Sequence, residues 1–216
     1  MTHSRFGLLI GLLVYTVAMR WMPYILQNCD VKLDPSITLY PWSFSPLVAV
    51  CLLSGATARN TGWGLVLPLL ALFIGDVGIG ILSGHWEWAF PPESWWLTYG
   101  CYSVAVWLGL RLRQQGAKHR LVTAVGMGLL FEVAYFVVSN FAVWCFSVAY
   151  PNHPDYIHYS FSWRGLLDCF VLALPFFRWS PISTAFFTLL VFGPLGAFAT
   201  SENPASTNEL VPAPAR

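Results

Sequence analysis

The chain has 216 residues and a formal net charge of +1; it is 56% hydrophobic, 17% aromatic and only 10% charged, with a mean hydropathy of +0.60. Soluble domains carry about 25% charged residues, so this balance points to one membrane-embedded domain, and a near-neutral chain without a concentrated basic face excludes a nucleic-acid partner. With the lipid bilayer as the expected surroundings, apolar runs define the elements and the few charges mark the positions that need a reason.

The first run, 6–26, is long enough to cross a bilayer and holds Arg20 about four residues beyond its midpoint. Arg5 before it and the small residues Thr16 and Ala18 also fit a signal peptide, but the apolar pattern resumes after Arg20 and no large soluble domain follows, which favours a membrane helix. Gly7 and Gly11 form a GxxxG pair suited either to internal packing or to a partner helix. The connection 28–45 ends in Tyr40-Pro41-Trp42-Ser43-Phe44-Ser45-Pro46. Ser45 is the expected N-cap and Pro46 the expected first helical residue of the short run 46–58. A helix amino terminus within a membrane cavity can hold an anionic group, while the plainer account is a capped helix at the interface.

Asp76 lies beyond the middle of the next run, 62–82. The following connection, 83–94, has no Lys or Arg and is flanked by Trp86, Trp88, Trp95 and Trp96, as expected for aromatic anchors at headgroup level. After the run 95–112, Arg111, Arg113, Lys118 and Arg120 crowd a short loop. The positive-inside rule then places that loop, the Arg59 turn and the amino terminus in the cytoplasm, so the helices bearing Arg20, Asp76 and Glu132 run outward.

The run 121–143 has Glu132 at its midpoint and Asn140 near its outer end. An acidic side chain at a helix centre costs roughly 2.5 to 3.5 kcal/mol on insertion scales, so it needs a partner, a cavity or a pathway. Helical spacing puts Phe136 and Ser139 on nearly the face of Glu132, with Asn140 rotated by roughly 80°. Such a face suits a small polar heteroaromatic ligand or, more plainly, hydrogen bonding between helices. Kept neutral by desolvation, Glu132 would be a donor and would allow proton coupling.

Beyond it, Trp144, Tyr150, Tyr156, Tyr159 and Trp163 occupy a loop with His153, Asp155 and His158, long enough to fold over a cavity. Irregularly spaced His and Asp are weak evidence for a metal, and none is expected. A short run, 165–177, and a longer one, 181–198, complete an all-α bundle of six or seven membrane segments over residues 1–199. The polar tail 200–216 is expected to be disordered.

Pairing Arg20 with Asp76 would offset the cost of burying either, and an Arg with an open face can also grip a carboxylate or phosphate. Cys29, Cys51, Cys101, Cys145 and Cys169 are widely spaced, without a CxxC pair, and read as small core residues. No GxxxxGK[ST], HExxH or GxSxG motif occurs, so no enzymatic activity and no cofactor is expected, and active transport would draw on a partner ATPase or an ion gradient.

Arg20-Trp21-Met22-Pro23, Trp42-Ser43-Phe44-Ser45-Pro46, the 68–76 stretch, Ser139-Asn140-Phe141-Ala142-Val143-Trp144 and Ala173-Leu174-Pro175-Phe176-Phe177 together resemble an uncharacterised family of small polytopic bacterial membrane proteins. That family in turn resembles the substrate-capturing S components of energy-coupling factor transporters; the likeness runs over about residues 19–193. It implies a six-helix inner-membrane bundle that binds a vitamin-like molecule or a metal ion near its outer face. It also implies docking to a transmembrane coupling subunit and a pair of ATPases. S components usually dock through small, often Ala-rich residues on the first helix, where this chain has Gly7 and Gly11. The expected site comprises Arg20, Asp76, Glu132 and Asn140 with Ser45 and Ser139, covered by Trp42 and Trp144. A structural or assembly protein, whose polar residues serve packing, is the alternative.

Overall fold

The computed structural model describes residues 3–31, 44–58, 60–92, 94–150 and 157–194. Trp42, Arg59, His153, Asp155 and the 200–216 tail, each singled out by the sequence, lie outside the described residues. The chain forms α1 (His3–Asn28), α2 (Leu47–Thr57), α3 (Thr61–Ser83), α4 (Trp86–Ala89), α5 (Trp95–Leu110), α6 (Ala117–Ala149), α7 (Trp163–Phe177) and α8 (Trp179–Phe192), with no strand among the described residues.

Three helices, α1, α3 and α6, are long and apolar enough to cross a membrane, and α7 with α8 makes a fourth span if the two are taken together across their 42° bend. The Glu132 run expands into a 33-residue helix, about 50 Å long, which outreaches the roughly 30 Å of hydrocarbon. The bend explains why 165–177 and 181–198 read as separate runs: Arg178 and Trp179 interrupt the apolar pattern, and the helix turns there without a connecting loop.

At the centre stands α2, in contact with α1, α3, α5, α6 and α8. Every residue from Leu47 to Gly55 is buried, the pattern of a helix that is apolar all round and packed on every side. Its crossing with α5 is made backbone to backbone: a Cβ on Gly55 would lie 2.0 Å from the Val106 carbonyl oxygen, and one on Gly109 2.3 Å from that of Leu52. Arg113 closes the α2 carboxyl end, donating to the carbonyls of Gly55 and Ala58 at 2.8 Å each. At the other end the expected cap shifts by one residue. Pro46 is the N-cap and α2 starts at Leu47, whose N–H reaches the Ser45 hydroxyl at 3.4 Å. Ser45 is held instead through its carbonyl, which accepts from Ser183 of α8 at 2.9 Å.

The α1–α3 pair is stitched by long side chains lying in a glycine groove. Trp21 donates to the Gly75 carbonyl at 3.0 Å, and its indole occupies the space where a Gly78 Cβ would be. Asn28 donates to the Leu82 carbonyl at 3.0 Å. Gly7 and Gly11, by contrast, meet nothing within 4 Å, so the GxxxG pair on α1 plays no part in the internal packing of the described residues. Asn60 caps α3 at its start, and Gly84, in the left-handed conformation at φ 74°, ends it. The chain then folds back through α4, where Trp86 lies over Gly80 and His85 stacks on Trp88 at 4.4 Å. Glu87, outside the spans, has its carboxyl held below the usual range by its own backbone N–H and then by His85.

Candidate functional site

Arg20 on α1 and Asp76 on α3 form the expected ion pair, with Arg20 Nη2 donating to Asp76 Oδ1. Asp76 is 4% exposed, and Tyr99 of α5 donates to its second oxygen at 2.7 Å, so three helices converge on one carboxylate. The arginine reaches it because Gly75 has no side chain: a Cβ there would lie 2.8 Å from Arg20 Cδ and Nε. Arg20 Nε is buried and has no acceptor among the described residues. Leaving such a donor unpaired is costly, and a planar guanidinium with one committed arm presents its remaining N–H groups to a carboxylate or phosphate.

Glu132 stands elsewhere. It is 6% exposed on α6 and accepts hydrogen bonds from Thr184 and Ser180 of α8 rather than from a basic group. Between the two carboxylates lies an aromatic layer. Tyr102 of α5 packs against Phe131 and Tyr135 of α6, with ring centres 5.5 and 5.6 Å away, and Tyr135 shares a 3.1 Å hydrogen bond with Thr98. Both tyrosines lie within electrostatic range of Arg20 on one side and Glu132 on the other.

The other sequence candidates are not drawn into this arrangement. Ser139 and Asn140 donate to the Phe136 carbonyl of their own helix, at 3.3 and 2.8 Å, and so satisfy themselves locally. Trp144 donates to the Ser160 carbonyl at 3.3 Å and stacks on Phe161, tying the end of α6 to the segment before α7. Ser147, not singled out by the sequence, anchors the same segment by donating to the Ile157 carbonyl and accepting from the Tyr159 N–H. Tyr99, Thr184 and Ser180 were also missed. The i, i+4 recurrence of Ser180, Thr184 and Thr188 in an apolar run was the available signal for the last two; Tyr99 had none beyond its position within a span.

Mostly apolar grooves run along the outside of the α1–α3 pair, such as one of about 390 Å³ lined by Trp21, Phe73, Val77, Gly78 and Ile81, and between α5 and α6, where Trp96, Leu97, Val138 and Phe141 line another. Among the described residues no three His, Cys, Asp or Glu side chains are grouped to bind a metal.

No curated protein and no solved structure matches the chain. A family model does, over residues 1–206, and its description is a family of unknown function (DUF6580). This helical chain with several membrane-length apolar segments belongs to that family.

Proposed function

We propose that the protein is a multi-pass inner-membrane component that binds a small polar, vitamin-like molecule for uptake, similar in role to the S component of an energy-coupling factor transporter. The observation that carries this is the Arg20 guanidinium. It is fixed at one end by Asp76, whose second oxygen accepts from Tyr99, while Nε is buried without an acceptor among the described residues, so an anionic or heteroaromatic ligand would complete the arrangement. Six membrane segments fit the reading: α1, α2, α3, α5, α6 and the bent α7–α8 pair. This order leaves the Arg111 to Arg120 loop in the cytoplasm and the Trp-rich α4 connection outside. Arg20 and Asp76 bind the ligand, while Glu132, Ser45, Ser139 and Asn140 shape the surrounding bundle, and Trp144 ties the end of α6 to the segment before α7. No catalytic role is assigned to any of them. The open Gly7–Gly11 face of α1 would dock the coupling subunit and its ATPase pair.

The test is native mass spectrometry of the protein purified from its host membrane, paired with an uptake measurement for whatever is bound. A small molecule should accompany the wild type and be lost from Arg20→Lys, which keeps the charge but not the fork. Gly11→Leu should abolish uptake while leaving binding intact. Recovery of lipid alone in repeated preparations would remove this reading.

A second reading, a structural membrane protein, is favoured by the fit of Arg20 and Trp21 into the spaces above Gly75 and Gly78. It expects Arg20→Lys to change stability and nothing else.

A further inference from the structure

The bent α7–α8 pair has one face that no described residue covers. Among the described residues α7 packs only on α6 and α8. Leu167, Val171 and Leu174 follow one another on it at four- and three-residue steps, and Ile182, Phe186 and Leu189 carry the stripe on along α8; all six are exposed. Steps of three and four residues keep side chains on one side of a helix, which is how a helix presents a seam to another helix.

Arg178 stands in the middle of this stripe, one turn after Leu174 and one turn before Ile182, and it too is exposed. Its backbone is helical, at φ −53° and ψ −32°, so the stripe continues through the bend. Ser180 sets its depth, because Ser180 and Thr184 hydrogen-bond to Glu132 at the midpoint of the 121–143 run. Two residues turn a helix by about 200°, so Arg178 points away from that carboxylate although both lie at one level. Its guanidinium carbon is 5.4 Å from the Trp179 ring centre, and it pairs with no carboxylate among the described residues. A full charge therefore sits on an outward face at mid-span, where the bilayer penalises it. Roughly 15 Å of hydrocarbon on either side keeps it from the headgroups.

That charge selects what covers the stripe. A lipid tail fits the apolar residues but leaves the guanidinium unpaired. A second copy, related by a two-fold axis along the membrane normal, brings Arg178 against Arg178, and its Asp76 and Glu132 are buried inside its own bundle. A carboxylate in the middle of another protein's membrane helix meets the arginine at its own depth, and each charge offsets the cost of the other. We propose that the stripe centred on Arg178 docks a transmembrane helix of a partner protein that carries an Asp or Glu at mid-span. The surface uses neither the Arg20 centre nor the Gly7–Gly11 face of α1, and it stands without the uptake reading.

The full chain in liposomes is titrated with a fluorescent single-span peptide of leucine and alanine bearing one central Asp, and with the same peptide bearing Leu or Lys there, association being read by energy transfer. The Asp peptide should associate saturably and the other two should not. Arg178→Leu should weaken that association by about tenfold or more, the effect of losing a hydrogen bond to a charged group, while the unfolding midpoint of the chain alone holds or rises. In host membranes, a photo-cross-linking amino acid in place of Leu174 should link to a second protein, within a helix that has a mid-span carboxylate. Arg178→Glu should abolish the link, and exchanging that carboxylate for Arg should restore it. Asp-peptide association unchanged by Arg178→Leu, or a midpoint that falls with it, overturns the proposal. So do links from residue 174 only to lipid, to a second copy or to residues 195–216 of the same chain.

Discussion

At the residue scale the chain concentrates its cost in two carboxylates and resolves each differently. Asp76 is balanced by a full charge and a phenol, Glu132 by hydroxyls alone. Removing one partner of a buried pair typically costs about 3–5 kcal/mol, because the other charge is left uncompensated. Arg20→Ala should fall toward the lower end, since Tyr99 still holds Asp76 and the arginine side chain is 30% exposed. Asp76→Ala should cost at least as much. The double variant should lose less than the sum, by about 1–3 kcal/mol, in equilibrium unfolding of the detergent-solubilised protein. Additive losses would mean that the pair contributes nothing as a pair. Arg20 and Asp76 were legible as partners because a bilayer leaves two isolated charges few alternatives. Ser139 and Asn140 looked equally polar in the sequence, yet a helix offers such side chains its own carbonyls, and periodicity does not reveal which choice is taken.

At the element scale, glycine does different work on different helices. Gly55 and Gly109 let two backbones touch, with no flexible side chain to give way. Gly55→Ala should therefore destabilise by about 3 kcal/mol or more, at the upper end of overpacking effects, and lower the unfolding midpoint sharply. Gly7→Ala, facing open space, should leave the midpoint where it is. The sequence marked the long runs well because α1, α3 and α6 exceed the length at which apolar character alone is decisive. It left 46–58 and 165–177 open between half-helices, thin-membrane spans and continuations of neighbouring segments. Length was the only discriminator there, and the answer depends on neighbours distant in the chain. Thus α2 is a separate helix wrapped by others, whereas α7 continues through a bend into α8.

At the scale of the whole molecule, the proposed six-segment arrangement would put the α4 connection and the loop between α5 and α6 on opposite sides. In a cysteine-free background, Glu87→Cys should react with a membrane-impermeant maleimide on intact cells. Gln114→Cys should react only after permeabilisation. Labelling of both from one side would require a segment fewer or more. Lys and Arg bias in the loops carries the proposed orientation, while the packing order of the helices was hidden because hydropathy says nothing about which apolar face meets which.

The central helix adds a constraint of another kind. With 11 residues α2 is about 16 Å long, roughly half the hydrocarbon thickness, yet it has the most complete burial of any helix described. A segment so short has little to gain from lipid by itself and nearly everything to gain from its five neighbours, four of which are synthesised after it. Biogenesis therefore has to hold α2 in reserve until α3, α5, α6 and α8 arrive, and the interior of the assembling bundle, rather than the bilayer, is the phase into which it finally partitions.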